Sequence, residues 1–423
     1  NFMKIGFIGL GKLGLPVALA VESKGHKVFG YDIDKRIKEI IKNKKIPYKE
    51  KDANKLLKKS KIKFEEIKYI VKNSDIIFIS IQTPHEEKFE GVTKIPKERK
   101  DFNYKFLING FKNLSLEINK QKKKKDVVII STVLPGTLKK YVQPIMSKYI
   151  NLTYNPFFIA MGTTIENFLF SEIILLGTKK KESRSKLVKF YKSINNAPIF
   201  KTNIENAELI KVVYNTFIST KISFINSVME TCHYLPNTNI DEVSKALSLC
   251  KDRIISPKYM FGGMGDGGGC HPRDNIALSW LANKVNLSFN WYESIMSQRE
   301  LQTKWLANLV IKNKINKKDK IFILGKCFKP ETNLILGSPS ILLKNFLVDY
   351  GQKVIMWDPY VDGNEKEFRK NYKLDKKKNI YFIGTKHKYF KKFKFYNGST
   401  VIDPFRYLKK QKNINYIGIG KSN

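Results

Sequence analysis

The sequence predicts an α/β protein: two doubly wound domains joined by a long central helix. Three observations predict it. Short apolar runs ending in glycine or small polar residues recur near both ends of the chain. Segments of helical apolar period follow them. Between the two sets lies ENAELIKVVYNTFISTKISFINSVMETCHY (205–234), which contains neither proline nor glycine. The expected division is 1–200 for the first domain, 201–300 for the central helical region and 301–423 for the last domain.

The first domain opens with KIGFIG (4–9), a buried-strand pattern that runs into GLGKLG. Gly9, Gly11 and Gly14 stand at GxGxxG spacing, with Leu13 in the same turn. The helical segment PVALAVESKG follows, then HKVFGYDID, a second strand with Asp32 at its end. The first glycine makes the tight turn, the second lets backbone approach a pyrophosphate, and the third lets helix and strand pack closely. Free N–H groups at the helix N-terminus suit phosphate. An acid about 20 residues on binds ribose hydroxyls and favours NAD over NADP. Arg36 stands just beyond Asp32, and an arginine there can also serve a 2′-phosphate.

DIIFISIQTP (75–84) and DVVIISTVLPGT (126–137) are further strands. Ligands of open parallel sheets bind at the carboxyl ends of strands, where Thr83 and Thr132 stand. Ordinary strand-end turn chemistry explains the same threonines. On the long helix, Lys211 and Asn215 are one turn apart and share a face. By itself a helical lysine is expected to face solvent. The helix suits a bridge between domains or a dimer interface.

GDGGGCHPRD (265–274) puts Cys270 after three glycines and Asp274 four residues later. Two readings are open: a mobile loop that contains a thiol, or a nucleophile on backbone that lies close to a ligand. Near residue 319 the strand–turn–helix pattern restarts. DKIFILGKCFKPETN, GSPSILLKNFLVDYG and QKVIMWDPYV give strand, helix and strand, the last ending in Asp358. NIYFIG, STVIDP and INYIGIG add further strands. This second Rossmann-like domain lacks GxGxxG, so it need not bind a dinucleotide.

Composition narrows the class. The chain has 423 residues, 42% of them hydrophobic, enough for two or three cores. Lys+Arg number 78 against 38 Asp+Glu, a formal net charge of +40. Nucleic acid or an anionic membrane is the obvious partner for such a charge. The basic residues are spread along the whole chain without a nucleic-acid motif, so a lysine-solvated surface is the better reading. Neither nucleic acid nor membrane is expected as a partner. Cys232, Cys250, Cys270 and Cys327 show no CxxC spacing, which argues against a zinc site or a secreted disulfide framework. The apolar N-terminal run could pass for a signal peptide, but its glycine spacing argues for the nucleotide turn. A cytoplasmic protein without a bound metal is expected.

The order of motifs is GxGxxG, QTP, STVLPGT, YNPFFIAMGT, AELIKVVYNTF, GGGCHPRD, LGKCFKPETN and WDP. In this order the chain resembles the UDP-glucose/GDP-mannose dehydrogenase family over nearly its whole length. The resemblance implies an NAD-dependent oxidation of the C6 hydroxyl of a nucleotide sugar to a carboxylate, and a homodimer or larger assembly. A polysaccharide precursor is the implied product. Cys270 matches the family cysteine that captures the aldehyde as a thiohemiacetal, which a second oxidation turns into a thioester. Asp274 matches the acid that works with the catalytic lysine, and Lys211, Asn215 and Thr132 match the family's lysine, asparagine and threonine. On the substrate side, Arg253, Tyr259, Lys329 and Arg406 match binding positions, and Gly267 and Gly268 belong to the loop that lies against the sugar nucleotide.

The pattern breaks at NPFFIAMG (155–162), where the family reads NPEFLxEG. Phe157 and Met161 replace two glutamates, the first of which activates water for thioester hydrolysis in the family. His271 or Glu166 can take that role, or the substrate or second half-reaction differs. Another rival is a protein that binds NAD or nucleotide sugar and regulates. The leucine-rich ETNLILGSP also lacks the family arginine before Ser-Pro.

Overall fold

The computed structural model describes residues 2–420 except 49, 85–100, 161, 179, 180, 257–261, 266, 268–271, 273–278, 280, 315 and 317. The chain divides into two compact units, Asn1–Thr220 and Lys221–Asn423.

The first unit is an eight-stranded sheet in the order β3-β2-β1-β4-β5-β6-β7-β8. The strands are β1 (Lys4–Ile8), β2 (Lys27–Tyr31), β3 (Lys63–Phe64), β4 (Ile76–Ile79), β5 (Lys125–Ile129), β6 (Ile150–Tyr154), β7 (Ile174–Gly177) and β8 (Ile199–Thr202). β1 to β6 pair in parallel, while β6 meets β7 antiparallel at Tyr154 and Gly177. Strands such as IIFI in β4 are apolar at every position because both faces are covered. Ile76 and Phe78 enter one core with Ile5, Phe7 and Val128. Ile77 and Ile79 enter the other with Ile8, Val127 and Ile129. The alternation is the two-residue period of a strand. The chain order reverses beside β1, where β2 lies on one side and β4 on the other. That switch point puts the carboxyl ends of β1, β4 and β5 at one edge.

The second unit carries a five-stranded parallel sheet, order β10-β9-β11-β12-β13. Its strands are β9 (Ile321–Leu324), β10 (Val354–Trp357), β11 (Ile380–Ile383), β12 (Thr400–Asp403) and β13 (Asn415–Gly418). Phe322 and Leu324 face one core, Ile321 and Ile323 the other. The helix Trp291–Lys312 packs Leu306, Ala307 and Val310 onto the second of these.

The long helix runs from Ile204 to Tyr234, as the unbroken apolar period predicts. The lysine-rich stretch at 120–125 marks a helix end: Lys105–Gln121 stops at Lys122, which turns with φ +54°, before β5 begins at Lys125.

Candidate active site

The turn after β1 carries the three glycines of the GxGxxG spacing. Gly9 has φ +96°, and its N–H donates to the Tyr31 carbonyl at 2.8 Å. A Cβ on Gly9 would lie 2.8 Å from the Ser80 carbonyl oxygen, and one on Gly14 would lie 2.2 Å from that of Gly9. The protein itself thus requires both glycines. Gly11 is different, because a Cβ there would meet nothing within 4 Å. Packing does not demand that glycine, so it leaves a cradle that a ligand can use. The helix Gly14–Ser23 starts at Leu13 with no side-chain cap and no acid in its first turn. Leu15 N–H donates to the Gly11 carbonyl at 3.1 Å and Pro16 has no N–H, so what the helix start offers an anion is a dipole that no acid opposes.

Asp32 directly follows β2. Its carboxylate accepts the N–H of Leu10 at 2.7 Å and of Asp34 at 2.8 Å, which fixes its orientation. Each oxygen retains a lone pair for a ribose hydroxyl. Arg36 is held by Asp34: its Nη2 lies 2.7 Å from Oδ2 and its Nε 2.9 Å from Oδ1. The guanidinium is thereby turned onto a carboxylate rather than left for a 2′-phosphate. At the other strand ends, the Thr83 hydroxyl donates to the Thr132 carbonyl at 2.6 Å, joining the two predicted threonines. This donor set fits NAD. Gly9, Gly11, Leu13 and Gly14 suit the pyrophosphate, Asp32 suits the ribose, and Thr83 and Thr132 lie at the carboxyl edge of the sheet.

Lys211 is not at the surface, as an ordinary helical lysine would be. It is buried, and its Nζ donates to the Phe157 carbonyl at 2.7 Å and sits 5.3 Å above the Phe158 ring. Desolvation lowers its pKa from the usual lysine value. Asn215, one turn further along, is exposed.

Phe157 offers Lys211 only its backbone. Its ring packs at 5.2 Å, edge to face, on Phe168 and leans on the core. The segment is pinned at both ends. Asn155 donates to the Leu175 carbonyl at 2.9 Å, and buried Glu50 accepts the N–H groups of Gly162 at 2.9 Å and Thr164 at 2.6 Å. Glu166 forms a half-exposed ion pair with Lys51 at 2.8 Å, so its carboxylate is engaged at the surface.

Glu208 carried no expectation from sequence. It is fully buried, and its carboxylate takes the N–H of Gly136 at 2.6 Å, in the STVLPGT turn, and of Leu138 at 2.9 Å, just after it. An acid inside an apolar helix, one turn before Lys211, was the available signal.

In the second unit, Cys270, Asp274, Tyr259, Gly268 and His271 lie outside the described residues, as does Met161 in the first. Gly267 is described, and its glycine is required. A Cβ would lie 2.9 Å from Phe328 and Pro339 and 3.0 Å from the Gly337 carbonyl oxygen. The approach of the stem of the cysteine loop to the CFKP segment permits no side chain there. Lys329 in that segment is exposed, and so is Arg253. Arg406 adopts φ +55° and spends its guanidinium on carbonyls, Gly262 at 2.6 Å, Ile419 at 2.8 Å and also Pro404.

Cys327, Asp358 and His387 form a buried cluster of the kind that can hold a metal. Its hydrogen bonds argue for a different use. His387 Nδ1 accepts the Glu331 N–H at 2.9 Å, so its proton is on Nε2, which donates to Asp358 at 3.0 Å. A nitrogen that carries a proton is no metal ligand. Burial first pushes Asp358 up, but hydrogen bonds from His387, Lys326 and Tyr360 outweigh it and hold the group at about 2. Burial and the nearby Asp358 push the Cys327 thiol up to about 12, which leaves it unreactive.

Known proteins complete this geometry. Residues 3–195 match the NAD binding domain of the UDP-glucose/GDP-mannose dehydrogenase family, and residues 205–299 match its central domain. The UDP-glucose 6-dehydrogenase of Rickettsia prowazekii is 31% identical over 395 residues, covering 90% of this chain and 85% of that protein. The chain belongs to the UDP-glucose/GDP-mannose dehydrogenase family. UDP-glucose 6-dehydrogenase TuaD of Bacillus subtilis is 30% identical over 369 residues, covering 84% of this chain and 76% of its own. A crystal structure of the GDP-mannose dehydrogenase of Pseudomonas aeruginosa shares the fold, with a TM-score of 0.85 at 22% identity over 98% of this chain and 99% of that one.

This family member is therefore an NAD-dependent nucleotide-sugar dehydrogenase, and its first unit carries the cofactor. Among the described residues no helix is long and apolar enough to cross a membrane.

Proposed function

We propose that the enzyme oxidises the C6 hydroxyl of a UDP-glucose-like nucleotide sugar to the uronate through a covalent intermediate on Cys270. The observation that carries this reading is Lys211. A lysine deprived of water, oriented by one carbonyl and lowered in pKa from the usual lysine value, is suited to proton transfer. UDP-glucose is preferred because the Rickettsia prowazekii and Bacillus subtilis relatives are UDP-glucose 6-dehydrogenases by name.

The net reaction is R–CH2OH + 2 NAD+ + H2O → R–COO− + 2 NADH + 3 H+. NAD+ supplies the hydride acceptor for both oxidations. Lys211, with Asp274 and a water, removes the C6 hydroxyl proton, and Lys211 and Asn215 then hold the developing oxyanion. Thr132 orients the reacting end of the substrate beside the cofactor edge. The Cys270 thiolate adds to the aldehyde carbon, forming a C–S bond; loss of the second hydride leaves a thioester, which water cleaves to free the thiol. Arg253, Tyr259, Gly267, Gly268 and Lys329 hold the nucleotide sugar, and Arg406 contributes by steadying the Gly262 segment. The functional division remains 1–200 for cofactor, 201–300 for the central region and 301–423 for nucleotide sugar. Exposed Leu209, Val213 and Phe217, spaced four apart on the long helix, support a homodimer or larger assembly. A cytoplasmic location fits the substrate class.

Cys270→Ala with UDP-glucose and NAD+ tests the reading. Loss of turnover by at least about 10³-fold, with NAD binding retained, is expected. Unchanged turnover would remove the covalent step.

A further inference from the structure

The site described so far does not account for Glu208. A buried carboxylate is costly unless its oxygens are hydrogen-bonded, so its partners carry its reason for being there. Among the described residues Glu208 has no ion pair. Burial pushes its carboxyl up, and the two N–H groups of Leu138 and Gly136 pull it back. Its partners define what it does. Both belong to the turn that follows Thr132, and Gly136 adopts φ +88° there. Tyr104 supports the same turn, its hydroxyl accepting from Leu134 N–H at 3.2 Å and from the Thr137 hydroxyl at 3.2 Å. On its own helix, Glu208 stands one turn before Lys211, so any slide or rotation of the helix displaces both side chains together.

We propose that Glu208 is a positioning residue: by gripping the turn after Thr132, it fixes the register of the Lys211 helix against the nucleotide-binding sheet. The proposal rests on the reading of Lys211 as the proton-transfer group. Displacing a reacting group by about 1 Å can cost on the order of 100-fold in rate, so a bond whose partners lie 72 positions apart in sequence can matter to the chemistry without touching substrate.

Glu208→Gln keeps the volume but turns one acceptor oxygen into an NH2 that faces a backbone N–H. The expected result is a kcat lower by about 10- to 100-fold, with KM for UDP-glucose within about threefold of wild type. A second readout needs no turnover: the rate of acylation of Lys211 against pH, followed by peptide mass spectrometry. In the variant its midpoint is expected to move back toward an ordinary lysine. Gly136→Ala attacks the same contact from the other side. Its Cβ meets nothing within 4 Å, so the alanine strains only the positive φ. The double variant is expected to be no slower than the worse single one, because both remove one contact. Wild-type kcat and Lys211 labelling in a folded Glu208→Gln or Gly136→Ala protein would overturn the proposal, as would a loss confined to thermal stability. If wild-type enzyme gave no NADH with any nucleotide sugar, the functional reading would fall, and the labelling profile alone would still decide the role of Glu208.

Discussion

The two sheets begin with the same turn and use it for different ends. In the first unit Gly9 donates to Tyr31 at 2.8 Å, and Leu10 N–H reaches Asp32 at 2.7 Å. In the second, Gly325 donates to Trp357 at 2.8 Å, and Lys326 N–H reaches Asp358 at 2.7 Å. Both first glycines have positive φ, +96° and +105°. The difference lies one residue later. Gly11 opens onto free space, whereas Cys327 fills its place and is buried. Asp32 is partly open to solvent, whereas Asp358 is sealed beneath His387. One backbone device thus serves a dinucleotide in the first unit and ties down a loop in the second. The side chains around the turn, not the turn itself, decide what it binds.

The largest expected effect that would break or sharpen this contrast is Gly11→Val. Filling the cradle is expected to weaken NAD binding by at least about 100-fold while leaving the melting temperature nearly unchanged, since nothing in the protein competes for that space. Calorimetric titration with NAD checks it. Retained affinity would mean that the pyrophosphate lies elsewhere.

Asp358→Asn comes next. Losing the charge that accepts from His387 and from the N–H groups of Lys326, Cys327 and Tyr360 is expected to cost about 2–4 kcal/mol, read as a lower denaturation midpoint. The sign of the pH dependence follows from the depressed carboxyl. Its stabilising effect is full above the ordinary carboxylate range and is lost as pH falls from about 4 toward about 2. The asparagine variant is expected to lack that acid limb in a urea titration run across this range.

A smaller loss of about 1–2 kcal/mol is expected for Cys327→Ala, which removes buried volume and the thiol's contact with the Thr332 carbonyl. The variant gains no dinucleotide affinity at the second turn, because Asp358 stays covered. A gain measured by titration would show that the thiol alone closes that site.

The smallest effect belongs to Asp34→Ala. Freeing Arg36 from an exposed pair is expected to raise the ratio of NADP to NAD use by only about threefold, as weak surface pairs allow. Steady-state kinetics with both cofactors reads it, and an unchanged ratio would assign the preference to Asp32 alone.

The sequence disclosed whatever depends on local pattern. Strand runs such as IIFI, the GxGxxG turn, Asp32 at a strand end and the unbroken helix around Lys211 are all set by neighbours within a few residues. Contacts made across the chain were not legible. Glu208 meets Gly136 across 72 positions, and His387 meets Glu331 across 56. Resemblance marked Arg406, and only the structure shows its backbone at φ +55° and its guanidinium on the carbonyls of Gly262 and Ile419. Phe157 was legible as a departure, yet only packing shows its ring on Phe168 and its carbonyl under Lys211.

Completion of both oxidations of a nucleotide sugar, proposed above, must take place despite Phe157. The most direct measurement is the NADH formed per mole of limiting UDP-glucose at saturating NAD+. Two are expected, which requires the Cys270 thioester to be hydrolysed without the family glutamate. A burst that stops after a stoichiometric amount per active site, or no NADH from any nucleotide sugar, would contradict it.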